Sequence, residues 1–313
     1  MRSVGADVPD ESDGPPECRD DQNGGGRAER PHGAEAETRN REEYYAALRV
    51  AVSTEESVTA RRITAEEQAA AENWDETAQE FRCMWSEYQR RWPPDERAPA
   101  GESADRPGSW RGEGERFLEV ADNNRVEAAY DLISEREQEK ISPAMRAVES
   151  QDLDRHLIGF KHRLKDRDRI KEKVSGMMKE LSFSLQEAVR HLPDAIRYTF
   201  AYRETHYTQG VWADIGRLKD EGFQLHSLWN AWSKDQYKGI NSQWIDPESG
   251  QRFEVQFHTR ISFEAKQLTH PAYERLRTRQ PDKFEQMVLE AFQKKVSADV
   301  PVPPGAPDIP DYL

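Results

Sequence analysis

An α+β domain with a mixed, mostly antiparallel sheet flanked by helices, preceded by a helical region, is the fold this chain predicts. Three observations carry it. Hydrophobic periodicity switches between 3.6 and two residues along 156–296. The turn DPESG at 246–250 joins two strand-like runs as a hairpin. The order helix, strand, helix, strand, hairpin, helices fits that class.

Residues 1–40 are rich in Gly, Pro, Asp and Glu, contain GGG at 24–26 and offer little to bury, so they read as a disordered acidic tail. Residues 41–92 read as a helical region. Trp74, Ala78, Phe81, Trp85 and Tyr88 fall at helical spacings. Thr64 with Glu67 forms a capping-box pattern. The plain reading of the aromatic stripe is a helix-packing face; the other is a docking surface for a partner. Pro93 and Pro94 end the region, and 93–110 reads as a Pro/Gly-rich linker. A catalytic domain over 111–296, with its core at 155–280, follows. Its helices are expected at 124–150, broken at Ser142-Pro143, and at 156–182 as one long helix burying Leu157, Phe160, Leu164, Ile170, Val174, Met177, Met178 and Leu181. Strands are expected at 196–202, 223–232, 240–245 and 251–259, with helices at 207–222, 261–277 and 281–296. Residues 297–313 form a proline-rich tail.

The chain has 313 residues, 59 acidic against 45 basic, a net charge of -14 and a mean hydropathy of -0.99. That balance argues against a general nucleic-acid coat but leaves room for a local cationic pocket. No apolar stretch is long enough for a membrane span or signal peptide. The expected location is cytoplasmic, with delivery into another cell by a non-classical route left open. Two cysteines, Cys18 and Cys83, make neither a disulfide scaffold nor a zinc knuckle and are expected to be inert.

Chemistry concentrates in FEVQFHT, 253–259. Phe253, Val255 and Phe257 share one strand face; Glu254, Gln256 and His258 share the other. Upstream, Lys161 to Lys173 holds seven basic and three acidic residues in 13 positions. Lys165, Arg169 and Lys173 are four apart, with Arg163 near their head, so a helix would line them up to clamp a triphosphate. The plainer reading is a solvated helix laced by ion pairs. Asp194 precedes an apolar strand in LPDAIRYTF. Paired with Glu254 it offers two carboxylates for Mg²⁺. No P-loop and no GxGxxG is present, so phosphate binding must rest on side chains.

These residues resemble the synthetase domain of the RelA/SpoT superfamily. Its pattern R-x-K-x-x-x-S-x-x-x-K is met by Arg163, Lys165, Arg169 in place of the serine, and Lys173. Its D-x-x-x-x-R is met by Asp194 with Arg197 only three residues on. Its glycine-aromatic turn is met by Tyr237-Lys238-Gly239-Ile240-Asn241, where Ile240 replaces the aromatic. Its E-x-Q-x-R-T is met by Glu254, Gln256, His258 in place of arginine, and Thr259, followed by Glu264, His270 and Tyr273. The match spans 155–280 and implies a RelA/SpoT-type, nucleotidyltransferase-like fold. The implied reaction is Mg²⁺-dependent transfer of pyrophosphate from ATP to the 3′-hydroxyl of a purine nucleotide, in a toxin or effector branch. Arg163 and Lys165 would hold ATP phosphates or stack on adenine, and Lys173 would hold phosphate. Asp194 and Glu254 would bind metal. Gln256 and His258 would orient acceptor or phosphate groups. Arg169, Arg197, Tyr237 and Asn241 fall among the nucleotide-binding positions, and Tyr237 or Trp244 stands in for the missing aromatic. The 3′ end of tRNA as acceptor, and a catalytically inactive nucleotide-binding protein, remain open. The N-terminal helices are the expected contact for an antitoxin, immunity or delivery partner.

Overall fold

The computed structural model describes residues 65–93, 101–102, 106–113, 116–190, 192, 194–278 and 281–312. The acidic tail, the capping box at Thr64 and the stretch 41–64 of the helical region lie outside those residues.

Helix α1 (Ala65–Arg91) opens the described chain. Trp74, Ala78, Phe81 and Tyr88 are buried on one face, as the spacing predicts. Three short strands, β1 (Gly101–Glu102), β2 (Trp110–Arg111) and β3 (Phe117–Leu118), then form a small antiparallel sheet; the first two begin within the stretch read as linker. Helix α2 (Val120–Arg136) runs through a π-turn (Glu137–Ile141) into α3 (Ser142–Glu149). The expected break at Ser142-Pro143 is therefore a junction: the helix continues through it, and Pro143, which has no N–H to donate, follows directly on the π-turn.

The expected single helix at 156–182 is corrected. Residues Arg155–Ile158 form strand β4, a 3₁₀ turn covers Phe160–His162, and α4 spans Arg167–Leu181. Gly159 sits in the left-handed region at φ 63°, which turns the chain out of β4. Asp166 caps α4 by accepting from the Arg169 backbone N–H at 2.8 Å. Ile170 and Val174 are buried as expected, but Leu181 is exposed.

After α5 (Leu185–Arg190), the chain lays down β5 (Arg197–Tyr202), α6 (Tyr207–Asp220), β6 (Gln224–Asn230), β7 (Ile240–Ile245) and β8 (Arg252–Thr259). Helices α7 (Arg260–Thr278) and α8 (Lys283–Ala298) follow. The main sheet has the order β4-β5-β8-β7-β6. Only β5 and β8 are parallel; the other neighbours are antiparallel. The tail docks on the outer strand: Leu228 and Tyr312 exchange backbone hydrogen bonds, and Asn230 Nδ2 donates to the Ala306 and Ile309 carbonyls.

The sheet has two unlike faces. Tyr198, Phe200, Phe253, Val255, Phe257, Ile240 and Trp244 are buried on one. Helix α6 packs there, and its Tyr207 hydroxyl donates to the Phe257 carbonyl at 2.8 Å. Helix α7 covers the other face, and α1 packs on α7 and α8 through Trp74 Nε1 to Glu264 (2.8 Å), Tyr88 to Glu285 (2.7 Å) and a T-shaped Phe81–Phe292 pair. The aromatic stripe of α1 is thus a packing face. Cys83 on α1 is disulfide-bonded, which corrects the expectation of an inert thiol; the other cysteine, Cys18, is outside the described residues. No helix among the described residues is long and apolar enough to cross a membrane.

Candidate active site

The parallel pairing of β5 with β8 sets Arg197 beside Glu254, Thr199 beside Gln256 and Ala201 beside His258. Antiparallel pairing sets Asn241 of β7 beside Gln256. Partners in register point to the same side, so these groups share the face beneath α7.

Asp194 lies just before β5 and is buried. Both Lys165 and Lys173 contact its Oδ2, Lys165 at 3.5 Å. Backbone pairing places Lys165: its N–H donates to the Ala195 carbonyl at 3.0 Å. Burial opposes ionisation of Asp194, but the two lysines outweigh it and hold the carboxyl well below the usual range. Burial pushes Lys165 well down, against the pull of Asp194.

Glu254 is 2% exposed. Its Oε1 accepts from Gln256 Nε2, and its Oε2 has no hydrogen-bond partner among the described residues. Burial raises its pKa; Arg197 opposes that and Asp194 adds to it. Gln256 Oε1 in turn accepts from Lys266 Nζ at 2.6 Å and Thr199 Oγ1 at 3.3 Å.

His258 is held from both sides. Its Nδ1 meets Ser262 Oγ and its Nε2 the Tyr237 hydroxyl, each at 2.8 Å. That hydroxyl also donates to Asn241 Oδ1 at 2.8 Å. Burial, reinforced by Lys266, keeps the ring neutral. Gly239 has φ 144°, and a Cβ there would lie 2.6 Å from His258 Cε1, so both backbone and space require glycine. Tyr237 stacks on Trp229 at 5.8 Å and 15°.

The fold thus gathers Lys165, Lys173, Asp194, Arg197, Tyr237, Asn241, Glu254, Gln256 and His258. It sends Arg163 elsewhere: Nε donates to Glu137 at 2.7 Å and Ser142 at 3.0 Å, and the guanidinium lies over Phe160. Arg169 is exposed on α4 and pairs with Glu172 at 3.5 Å. Of the expected stripe only Arg169 and Lys173 are helical, because the cap at Asp166 starts α4 after Lys165. Ile240 and Trp244 are buried on the apolar face, so Trp244 cannot replace the missing aromatic; Glu264 is engaged with Trp74 and Arg260.

Sequence reasoning missed Lys266 and gave His270 only a place in the family pattern. Lys266 is buried, and burial with the nearby Arg197 charge brings its pKa to about 7. Both ring nitrogens of His270 are buried without a partner among the described residues, and burial lowers its pKa to about 4. The available signal was the spacing 262, 266, 270 on α7, which puts polar groups on one helix face.

No group of three or more His, Cys, Asp or Glu side chains among the described residues is arranged to hold a metal ion. An apolar cleft of about 260 Å³ between α1 and α8, lined by Met84, Trp85, Tyr88 and Phe292, contains none of these polar groups and belongs to the helix packing.

No protein-family model matches the chain, and no curated protein does. Among solved structures the chain is similar to the small alarmone synthetase 1 from Bacillus subtilis, with TM-score 0.38 and 14% identity over 56% of this chain and 90% of that one. The same synthetase bound to its product pppGpp gives TM-score 0.38 and 14% identity over 56% and 91%. The protein smu.1046c from Streptococcus mutans UA159 gives 0.37 and 16% over 54% and 86%.

Proposed function

We propose that this chain transfers pyrophosphate from ATP to the 3′-hydroxyl of a purine nucleotide. One observation carries the reading: Glu254 is buried with an unpartnered oxygen beside Arg197 on one sheet face, with Asp194, Lys165 and Lys173 clustered next to them. A fold does not hold a buried ionisable group half-satisfied without cost, so such a cluster is a site candidate. Cations around two carboxylates suit a polyphosphate anion.

In this reading the acceptor oxygen bonds to the β-phosphorus of ATP as the bond from that phosphorus to the α-bridging oxygen breaks. AMP leaves, and the hydroxyl proton passes to Glu254, whose raised pKa suits a base. Lys173, Lys165 and Arg197 hold phosphate oxygens. Tyr237, stacked on Trp229 and bonded to Asn241, flanks the acceptor base. Asp194 fits Mg²⁺ chemically, as a hard oxygen donor that stays ionised, and the open oxygen of Glu254 is kept for the acceptor hydroxyl. When bound, the ion would offset charge on the phosphates.

The test is product analysis with Mg²⁺ and ATP, offering GDP, GTP, ADP, AMP and bulk tRNA in turn. AMP release with a pyrophosphorylated nucleotide is expected, falling at least about 100-fold in Glu254→Gln. Modification of tRNA alone would move the acceptor to RNA. Folded protein that fails to bind ATP overturns the reading.

A further inference from the structure

Among the site cations described above, Lys266 comes from α7, facing the strand groups from above the sheet. A buried ammonium is costly to keep, and an apolar side chain would fill the same space more cheaply. Its hydrogen bond goes to Gln256 Oε1, at 2.6 Å, and to neither carboxylate. That contact has a geometric consequence. A glutamine amide presents an oxygen at one side and an NH₂ at the other. With the oxygen fixed toward Lys266 and Thr199, the NH₂ is directed at Glu254 Oε1. The flipped amide would set oxygen against carboxylate and NH₂ against ammonium. The chain Lys266–Gln256–Glu254 therefore has one favourable arrangement, and in it only Glu254 Oε2 is open.

We propose that Lys266 is a positioning residue: through the Gln256 amide it fixes the rotation of the Glu254 carboxylate and leaves one oxygen for the acceptor hydroxyl. This rests on the pyrophosphoryl-transfer reading above. Lys266 and Gln256 act as a unit in it, and neither touches ATP.

A double-mutant cycle tests the unit. Lys266→Met, Gln256→Met and the double variant are compared with the native chain, each checked for folding by thermal melting. Each single variant should lower kcat by about 100-fold with the KM for ATP changed less than about threefold, and the double variant should lose no more than either single one. Lys266→Arg, which keeps a cationic donor, should recover part of kcat. A Lys266→Met variant that keeps kcat but raises KM for ATP would make Lys266 a phosphate ligand and overturn the proposal. Losses that multiply in the double variant also overturn it. If Lys266→Met does not fold, Gln256→Met and Lys266→Arg still decide: unchanged kcat in the first, or a folded second no more active than Gln256→Met, sinks the unit. Failure of the native chain to transfer pyrophosphate to any acceptor defeats the parent reading, whereas an active native chain with an additive cycle defeats only this inference.

Discussion

Arg155 on β4 and Glu254 on β8 are both buried charges of the central sheet, and their surroundings differ in one respect. Every N–H of Arg155 is used. Its guanidinium grips both oxygens of Asp214 and donates to the carbonyls of Val148 (2.5 Å), Glu149 (3.2 Å) and Asp152 (3.1 Å). Asp214 also accepts from Tyr202 at 2.7 Å and Arg217 at 2.6 Å. That network ties α3, β4, β5 and α6 together. Glu254 has one engaged oxygen and one open. A satisfied network has nothing left to offer a ligand, whereas an incompletely satisfied one loses stability in the free protein and regains it on binding. The same sheet thus separates holding the fold from doing chemistry.

The largest effect should come from breaking the satisfied side. Arg155→Met leaves Asp214 buried without its main partner and should cost about 3–5 kcal/mol, read by urea denaturation. A loss below about 1 kcal/mol would put Arg155 on the same footing as a surface pair and erase the contrast. Glu254→Gln should act in the opposite direction. Burial raises the Glu254 pKa, so the folded state holds the proton more tightly than the unfolded chain does. The ionised carboxylate is therefore a penalty above that raised pKa, and removing it should raise the melting temperature while transfer is lost. A melting temperature that falls would mean that Glu254 serves the fold, as Asp214 does.

How much of this was legible in the sequence follows the range of each signal. The alternation in FEVQFHT separates the two faces correctly, because a strand's period is local. The DPESG hairpin closes as read, with Gly250 at φ 71°. The stripe on α1 was legible for the same reason. The basic run was misread because spacing by four persists whether or not the chain is helical, and the cap at Asp166 outweighs it. Lys266 and the role of His270 were not legible: their importance comes from what α7 faces, and a sequence of a helix does not state its neighbour. The Arg155–Asp214 pair joins residues 59 apart and leaves no local trace.

Lys266 supplies the finest measure of the contrast. Its surroundings are Arg197 on β5, Glu254 and His258 on β8, and His270 on its own helix. In the fold it titrates near 7, and in the unfolded chain near its ordinary 10.5. Between those values the unfolded chain binds more protons, so this group makes the native protein more stable as pH rises through 7. Lys266→Met removes that slope. The variant should melt higher than the native chain at pH 6, and its advantage should shrink by about 1 kcal/mol, or roughly 2–4 °C, on moving to pH 8. Parallel melting curves for Lys266→Met and the native chain across pH 6–8 would mean that Lys266 keeps its proton in the fold. The site charge would then be as well satisfied as the structural one.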